Sequence, residues 1–178
     1  MTLIVYKNGE LAADNGCTRN DSRERYSKIR VMRDGDRTLT IGYSGNIDAV
    51  TRHWREVVKR IETCTSFIDD YPKMNTAGIA VVAPDEPTED DPITVFSFNC
   101  FDHTTGNGAW VLEEGNMVCE GADFAVCSAL AINHVAPHLS AAQIIKRVAE
   151  VNSSADTRFG VNRVAVVNPD GNMPSTEF

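Results

Sequence analysis

The chain has 178 residues, 42% of them hydrophobic, which is enough for one globular domain over residues 1–178 with a substantial core. Its net charge of −8 argues against sequence-independent nucleic-acid binding, because that binding needs Lys and Arg to neutralise phosphates. The chain has five cysteines without a C-x-x-C pair, which argues against a disulfide frame and a zinc site. It has no signal segment and no apolar run of membrane-spanning length, so we expect a cytoplasmic protein without a membrane span.

The first predicted element is a β-hairpin with Asn8-Gly9 at its turn and strands over residues 2–7 and 10–14. Asn-Gly between apolar strands favours a type I′ turn, in which both central residues need positive φ. A two-residue turn pairs residues whose numbers add up to 17, so Asp14 lies opposite Leu3. We therefore expect the Asp14 side chain near the beginning of the first strand.

A second hairpin and a helix are predicted next. Residues 17–27 are polar and charged, which indicates a loop or a loosely paired extension. Alternating residues over 28–32 and 37–43 predict two strands joined by a turn at Asp34-Gly35. Apolar residues at helical spacing predict a helix from Asn46 to Ile61, with Asn46 as its N-cap.

In the rest of the chain, the sequence predicts a group of strands, then two helices and then a closing strand. Strands are expected at 93–98 and 109–113, residues 77–83 form a strand or a buried helical turn, and 163–167 form a closing strand. A helix over 123–134 is apolar almost throughout and is expected to be buried between layers, and a second helix begins at Ser140, which forms a capping box with Gln143. Because strands and helices come in blocks, the sequence predicts a layered α+β fold with helices on one or both outer faces of sheets.

Thr2 stands at the beginning of the first hairpin strand. After removal of Met1, which a small second residue normally permits, a threonine would supply a hydroxyl nucleophile and an α-amine. The ordinary pKa of an α-amine, about 7.7–8.0, suits a base near neutral pH. A cationic lysine nearby would favour the neutral amine, and an aspartate would orient the lysine.

Several short segments that carry little information singly occur in a meaningful order. They are a Thr-Leu-Ile-Val start, Asp14 at the end of the first hairpin, a Lys28-Ile29 strand, Gly-Tyr-Ser-Gly at 42–45 before a helix, Glu-Gly-Ala-Asp at 120–123 opening a helix, and Ser-Ala-Asp-Thr-Arg-Phe-Gly at 154–160 before a strand. In this order they resemble the proteasome β-subunit and HslV peptidase family of Ntn hydrolases. The resemblance covers most of the chain and leaves about residues 63–92 unmatched.

The resemblance implies a role for five residues. Thr2 falls at the family's nucleophile, and Asp14 and Lys28 fall at the acid and the lysine that prepare it. Gly45 falls where a backbone N–H stabilises the oxyanion, and Asp156 falls at the aspartate that supports the threonine amine. Among the chain's departures from the family, Glu120 and Phe159 replace helper serines.

The resemblance further implies a four-layer αββα sandwich of two antiparallel sheets between helix layers. It implies a threonine peptidase without cofactor or metal that acts on a peptide or unfolded protein inside a homo-oligomeric ring. An ATP-dependent unfoldase is a further partner that the resemblance implies. Two alternatives stay open. The chain is a catalytically silent subunit with a structural or partner-binding role, or it is a small-molecule amidase on the same fold.

Overall fold

The computed structural model describes residues 2–19, 22–45, 76–99, 109–113, 115–151, 157–158 and 160–166. In this part of the chain the strands are β1 (Leu3–Lys7), β2 (Glu10–Asp14), β3 (Gly16–Arg19), β4 (Ser22–Arg25), β5 (Ile29–Asp34), β6 (Arg37–Gly45), β7 (Thr76–Pro84), β8 (Thr94–Asn99), β9 (Ala109–Leu112), β10 (Met117–Gly121) and β11 (Val161–Ala165). The helices are α1 (Asp123–Val135) and α2 (Ala141–Val151).

The strands form two main antiparallel sheets that pack face to face. One sheet has the order β10-β1-β2-β11 and the other has the order β5-β6-β7-β8-β9, while β3 and β4 pair as a separate two-stranded ribbon. Helix α2 packs on β1, β2 and β11, and α1 packs on β10, so both helices cover the outer face of the four-stranded sheet. The predicted α+β sandwich is confirmed. The predicted helix over 46–61 lies outside the described residues.

The first hairpin folds as predicted. Asn8 and Gly9 have φ values of 48° and 80°, the combination that a type I′ turn requires. The pairs Ile4–Ala13 and Lys7–Glu10 confirm the register in which paired numbers add up to 17. The predicted position of Asp14 opposite the beginning of β1 depends on this register.

The next segments differ slightly from prediction. Residues 16–19 and 22–25 pair with each other, so the paired extension is the correct alternative. The predicted turn at Asp34-Gly35 is wrong by one residue, because Asp34 pairs with Arg37 and the turn is Gly35-Asp36. Gly35 has φ of 60° at the first central position, where a type II′ turn needs glycine.

Among the described residues, two separate apolar cores hold the layers together. The core between the sheets contains the inward side chains of β1, β2, β5, β7 and β8, among them Ile4, Leu11, Ile29, Ile79 and Val95. The sheets approach closely at Gly42, where a Cβ atom would lie 2.6 Å from Cγ2 of Ile4. The second core lies between the four-stranded sheet and the helices, and its fully buried members include Leu3, Val5, Ile144, Ile145 and Val148.

Helix α1 contradicts its prediction. Its apolar sequence predicts burial between layers, but Phe124 is 81% exposed and Val135 is 78% exposed. Only the small residues Ala125 and Ala129 are buried. The reason is that α1 lies at the edge of the sandwich on β10, where one face of alanines meets the sheet and the other face has no layer of the described chain over it.

The beginning of α2 is fixed by the predicted capping box and by the first hairpin. The Ser140 N–H donates to Oε1 of Gln143 at 2.9 Å, and the Gln143 N–H donates to Oγ of Ser140 at 3.3 Å. Oε1 of Glu10 accepts the Ala142 N–H at 2.8 Å. The buried Lys7 donates through Nζ to two carbonyl oxygens of the α1–α2 connection, each at 2.7 Å. No helix in the described part of the chain is long and apolar enough to span a membrane.

Candidate active site

A buried ion pair joins Asp14 and Lys28. Asp14 ends β2 and is 0% exposed, and Lys28 directly precedes β5 and is 4% exposed. Oδ2 of Asp14 lies 2.8 Å from Nζ of Lys28. Charged groups this deeply buried are costly unless they are paired, so removal of either partner would weaken the compensation of the other charge.

The same carboxylate also holds the chain next to Thr2. Oδ1 of Asp14 accepts a hydrogen bond from the backbone N–H of Leu3 at 2.7 Å. This N–H belongs to the peptide bond between Thr2 and Leu3. Asp14 therefore links the backbone beside the predicted nucleophile to the predicted site lysine, and Thr2 itself is partly exposed.

Backbone hydrogen bonds hold the chain at Lys28 and directly after Asp14. The Tyr43 N–H donates to the Lys28 carbonyl at 3.0 Å, which ties the lysine to β6 of the five-stranded sheet. The Tyr26 N–H donates to the Asn15 carbonyl at 2.9 Å, directly after the aspartate. Since Asp14 belongs to the four-stranded sheet, the ion pair joins the two sheets at one end of the sandwich.

Strand β10, which the sequence analysis did not predict, lies beside β1 on the side opposite β2 and contacts Thr2. Leu3 of β1 pairs with Gly121 of β10. A Cβ atom on residue 121 would lie 2.2 Å from the carbonyl oxygen of Thr2, so this contact requires glycine. The sequence signal, the alternation Met117-Val118-Cys119 after Gly115, is too short to distinguish a strand from a loop.

The other two predicted site residues are less fully described. Gly45 ends β6 two residues after Tyr43 and has φ of 103°, a conformation that favours glycine. Asp156 lies outside the described residues, as do Met1 and Phe159. The chain that follows Asp156 reaches the same end of the sandwich, because the Gly160 carbonyl accepts the Asn15 N–H at 3.2 Å.

Glu120 adds a second titratable group beside β1. It pairs with Ile4, two residues from Thr2, and the sequence resemblance implies a helper serine at this position. The pKa of Glu120 is raised from 4.5 to about 7, mainly by burial and to a smaller extent by the nearby Glu113 and Asp123 carboxylates, against the opposing effect of a backbone hydrogen bond from Gly121. No group of His, Cys, Asp and Glu among the described residues is arranged to hold a metal ion.

Cys119 is not a competing nucleophile. Burial, and to a smaller extent the charge of Glu120, raise the pKa of the Cys119 thiol to about 12. Because the thiolate is the reactive form of cysteine, this thiol is inert near neutral pH.

Comparison with known proteins shows the fold. No family model and no curated protein matches the sequence. Among solved structures, the helical assembly of the Anbu complex from Pseudomonas aeruginosa matches with a TM-score of 0.64 and 10% identity, over 99% of this chain and 86% of that chain. An Anbu Gly-1 mutant from Hyphomicrobium sp. strain MC1 matches with a TM-score of 0.61 and 14% identity, over 99% and 86%.

HslV from Trypanosoma brucei matches with a TM-score of 0.53 and 14% identity, over 92% of this chain and 97% of that chain. At such identities a likeness establishes the fold and leaves the activity open. The chain has the same fold as these Anbu and HslV structures, in agreement with the sandwich that the sequence resemblance implies.

Proposed function

We propose that the protein is an N-terminal-threonine peptide hydrolase in which Thr2 becomes the nucleophile after Met1 is removed. One observation carries the proposal. The Asp14 carboxylate bonds both to the amide that follows Thr2 and to the Lys28 ammonium group, and all of these groups lie in a proteasome-like fold. In this arrangement the backbone beside Thr2 is fixed, and the Lys28 ammonium group that would prepare the threonine amine lies nearby.

The first step needs a neutral amine beside a hydroxyl. In the proposal the α-amine of Thr2 accepts the proton of Oγ while Oγ attacks the carbonyl carbon of a peptide. The positive charge of Lys28 disfavours a second positive charge on the amine and so keeps the amine available as a base. Asp14 holds Lys28 in position and compensates its charge in a buried site.

The second step stabilises and then resolves the tetrahedral intermediate. The backbone N–H of Gly45 donates to the oxyanion, and the protonated α-amine returns its proton to the departing amine of the substrate. The product of this step is an ester between Oγ of Thr2 and the acyl part of the substrate. Water, activated by the same α-amine, then hydrolyses the ester and restores the threonine. Asp156 orients the amine in both steps.

The proposed substrate is a peptide or an unfolded protein, and the proposed setting is a homo-oligomeric ring that encloses the sites. An assembly is supported by the structural neighbours, one of which was solved as a helical assembly. An ATP-dependent unfoldase that feeds such a compartment is a further part of this proposal.

Hydrolysis of fluorogenic peptides by matched variants tests the proposed chemistry. Thr2→Ala should abolish turnover, whereas Thr2→Ser, which keeps a hydroxyl, should retain part of it. Lys146→Ala removes an exposed lysine of α2 and should leave turnover unchanged. Equal turnover in the wild type and in Thr2→Ala would refute the proposal.

Glu120 favours a second candidate, a catalytically silent subunit with a structural or partner-binding role. A partly buried carboxyl group stands where the family has a helper hydroxyl, so the ordering of the threonine amine could be lost. A β-lactone probe distinguishes the two functions, because an active Thr2 forms an ester with it. Labelling that depends on Thr2 would reject the silent subunit.

A further inference from the structure

Glu120 lies on the same face of the four-stranded sheet as Thr2. It pairs with Ile4 across β10 and β1, and Ile4 belongs to the core between the sheets. Because side chains alternate along a strand, Thr2, two residues before Ile4, faces the same side. Thr2 and Glu120 are therefore diagonal neighbours across the two strands. Such neighbours are about 7–8 Å apart, a distance that a long side chain can bridge.

The carboxylate of Glu120 is held at the beginning of β1. It accepts a backbone hydrogen bond from Gly121. Gly121 in turn lies directly against Thr2, since a Cβ atom there would meet the Thr2 carbonyl oxygen at 2.2 Å. The hydrogen bond therefore keeps the carboxylate beside the closest contact between β10 and Thr2.

The elements packed against β10 bring negative charge near Glu120. These elements are β1, β7 and α1, and β7 has no titratable residue. The titratable residues of β1, of α1, of β10 itself and of the segment after β9 are Tyr6, Lys7, Asp123, Cys127, His134, Cys119 and Glu113. Of this set, the Glu113 and Asp123 carboxylates raise the pKa of Glu120, in addition to the larger effect of burial. Tyr6 and Lys7 lie at the other end of the paired strands, opposite Val118 and Met117.

Glu120 differs from the other carboxylate at the beginning of β1. Asp14 pairs with the Lys28 ammonium group at 2.8 Å. In contrast, none of the ion pairs among the described residues includes Glu120. A positive charge on Thr2 would supply the compensation that Glu120 lacks.

We propose that Glu120 is the counter-ion of the α-ammonium group that Thr2 gains when Met1 is removed, and that Glu120 thereby sets the pH at which this amine becomes a base. Hydrolysis of the bond between Met1 and Thr2 releases methionine and converts a neutral amide nitrogen into an amine that is largely protonated at neutral pH. The catalytic consequence rests on the proposed function of Thr2, whereas the ion pair itself does not.

Lys28 and Glu120 act on this amine in opposite directions. The Lys28 ammonium group disfavours a second positive charge, but Asp14 partly compensates its effect. The Glu120 carboxylate favours the protonated amine, and we expect it to raise the pKa of the amine by about one unit. By the same linkage the ammonium group lowers the pKa of Glu120 equally, which leaves that pKa above its ordinary value.

The ion pair is a resting state of the site. A protonated amine does not accept the proton of Thr2 Oγ, so turnover requires that the amine first releases its proton to solvent. A rise in pH through the neutral range therefore activates the site. The acid limb of the pH profile reports the strength of the ion pair with Glu120.

NMR titration of the Thr2 α-amine tests the ion pair without any need for activity. The full chain carries ¹³C-labelled threonine, and methionine aminopeptidase removes any Met1 that remains. Glu120→Gln and Glu120→Ser should each lower the pKa of the amine by about one unit, whereas Glu120→Asp, which keeps the charge, should retain most of this difference. The exposed Glu89→Gln is the control and should leave the amine pKa unchanged. Circular dichroism establishes that the variants are folded. Equal amine pKa values in the wild type and in Glu120→Gln would overturn the inference.

The pH dependence of peptide turnover tests the catalytic consequence. Glu120→Gln should shift the acid limb of kcat/KM by about one unit to lower pH and raise turnover at pH 7 roughly threefold to tenfold, whereas Glu89→Gln should not. A lowered amine pKa without turnover at any pH would support the ion pair and reject the proposed peptidase. Turnover with the same acid limb in the wild type and in Glu120→Gln would reject the role of Glu120 and leave the proposed peptidase intact.

Discussion

Asp14 accepts the backbone N–H of Leu3 through Oδ1 at 2.7 Å, and its other oxygen pairs with a buried lysine. Two consequences depend on this one side chain. It fixes the peptide bond that follows Thr2, and it compensates the charge of Lys28. Because the two oxygens have different partners, substitutions can separate the effect on stability from the effect on proposed catalysis.

The first prediction uses this separation. Lys28→Met alone removes the ammonium group that pairs with the buried Asp14 carboxylate and should lower the free energy of unfolding by about 3–5 kcal/mol. The double variant Asp14→Asn/Lys28→Met keeps an oxygen for the Leu3 N–H and removes both charges. We expect its free energy of unfolding to lie within about 2 kcal/mol of the wild type, measured by urea unfolding.

The peptide turnover of these two variants should not change in parallel with their free energy of unfolding. Peptide turnover by the double variant should fall by at least about 100-fold, because no cation then favours the neutral amine of Thr2. Lys146→Met, at an exposed position, serves as the control for loss of a lysine. A stable double variant with wild-type turnover would show that the ion pair has only a structural role.

The second prediction concerns the contact between Gly121 and Thr2. A methyl group at residue 121 would meet the Thr2 carbonyl oxygen at 2.2 Å, so Gly121→Ala must displace the beginning of β1. Gly115→Ala is a matched control, since both glycines have φ of 149° but a Cβ at residue 115 meets nothing within 4 Å. Gly121→Ala should cost about 1–3 kcal/mol more than the control in urea unfolding.

The same substitution should reduce turnover by roughly 100-fold, because displacement of a reacting group by about 1 Å can cost that much. Gly115→Ala should leave turnover within about twofold of the wild type. If both variants lose the same stability and activity, the backbone conformation and not the contact with Thr2 explains the need for glycine at 121.

The third prediction follows from the pKa of Glu120, which burial raises from 4.5 to about 7. Between these values the folded protein holds a proton that the unfolded chain releases, so stability falls as pH rises through this window. Glu120→Gln removes the titrating group. Its melting temperature should exceed that of the wild type by roughly 2–4 °C at pH 8, a modest gain because Glu120 is partly exposed, and the difference should shrink toward pH 5.

The exposed Glu89→Gln is the matched control and should show no such trend with pH. A constant difference between Glu120→Gln and the wild type from pH 5 to pH 8 would contradict the assignment of this titration to Glu120.

Local sequence patterns determine the parts of the fold that could be predicted. The Asn8-Gly9 turn fixes its own register, and that register places Asp14 at the beginning of β1. The capping box of Ser140 with Gln143 likewise depends on residues three apart. Both could be predicted because the interacting groups are neighbours in sequence.

The features that the sequence analysis missed depend on contacts between residues that are far apart in the sequence. Strand β10 is defined by its pairing with β1, more than a hundred residues away, and its own sequence is too short to show a period. The exposure of α1 depends on its place at the edge of the sandwich, which the helix sequence does not specify. The hydrogen bond from Leu3 to Asp14 could be anticipated from register, but the contact of Gly121 with Thr2 could not.

The most direct test of the central claim, that a free Thr2 amine and hydroxyl perform the chemistry, is intact-mass spectrometry before and after incubation with a β-lactone. We predict a mass lower by one methionine, and a single adduct on Thr2 that is absent from Thr2→Ala. A stable mass that still includes Met1, with no adduct dependent on Thr2, would contradict the proposed peptidase.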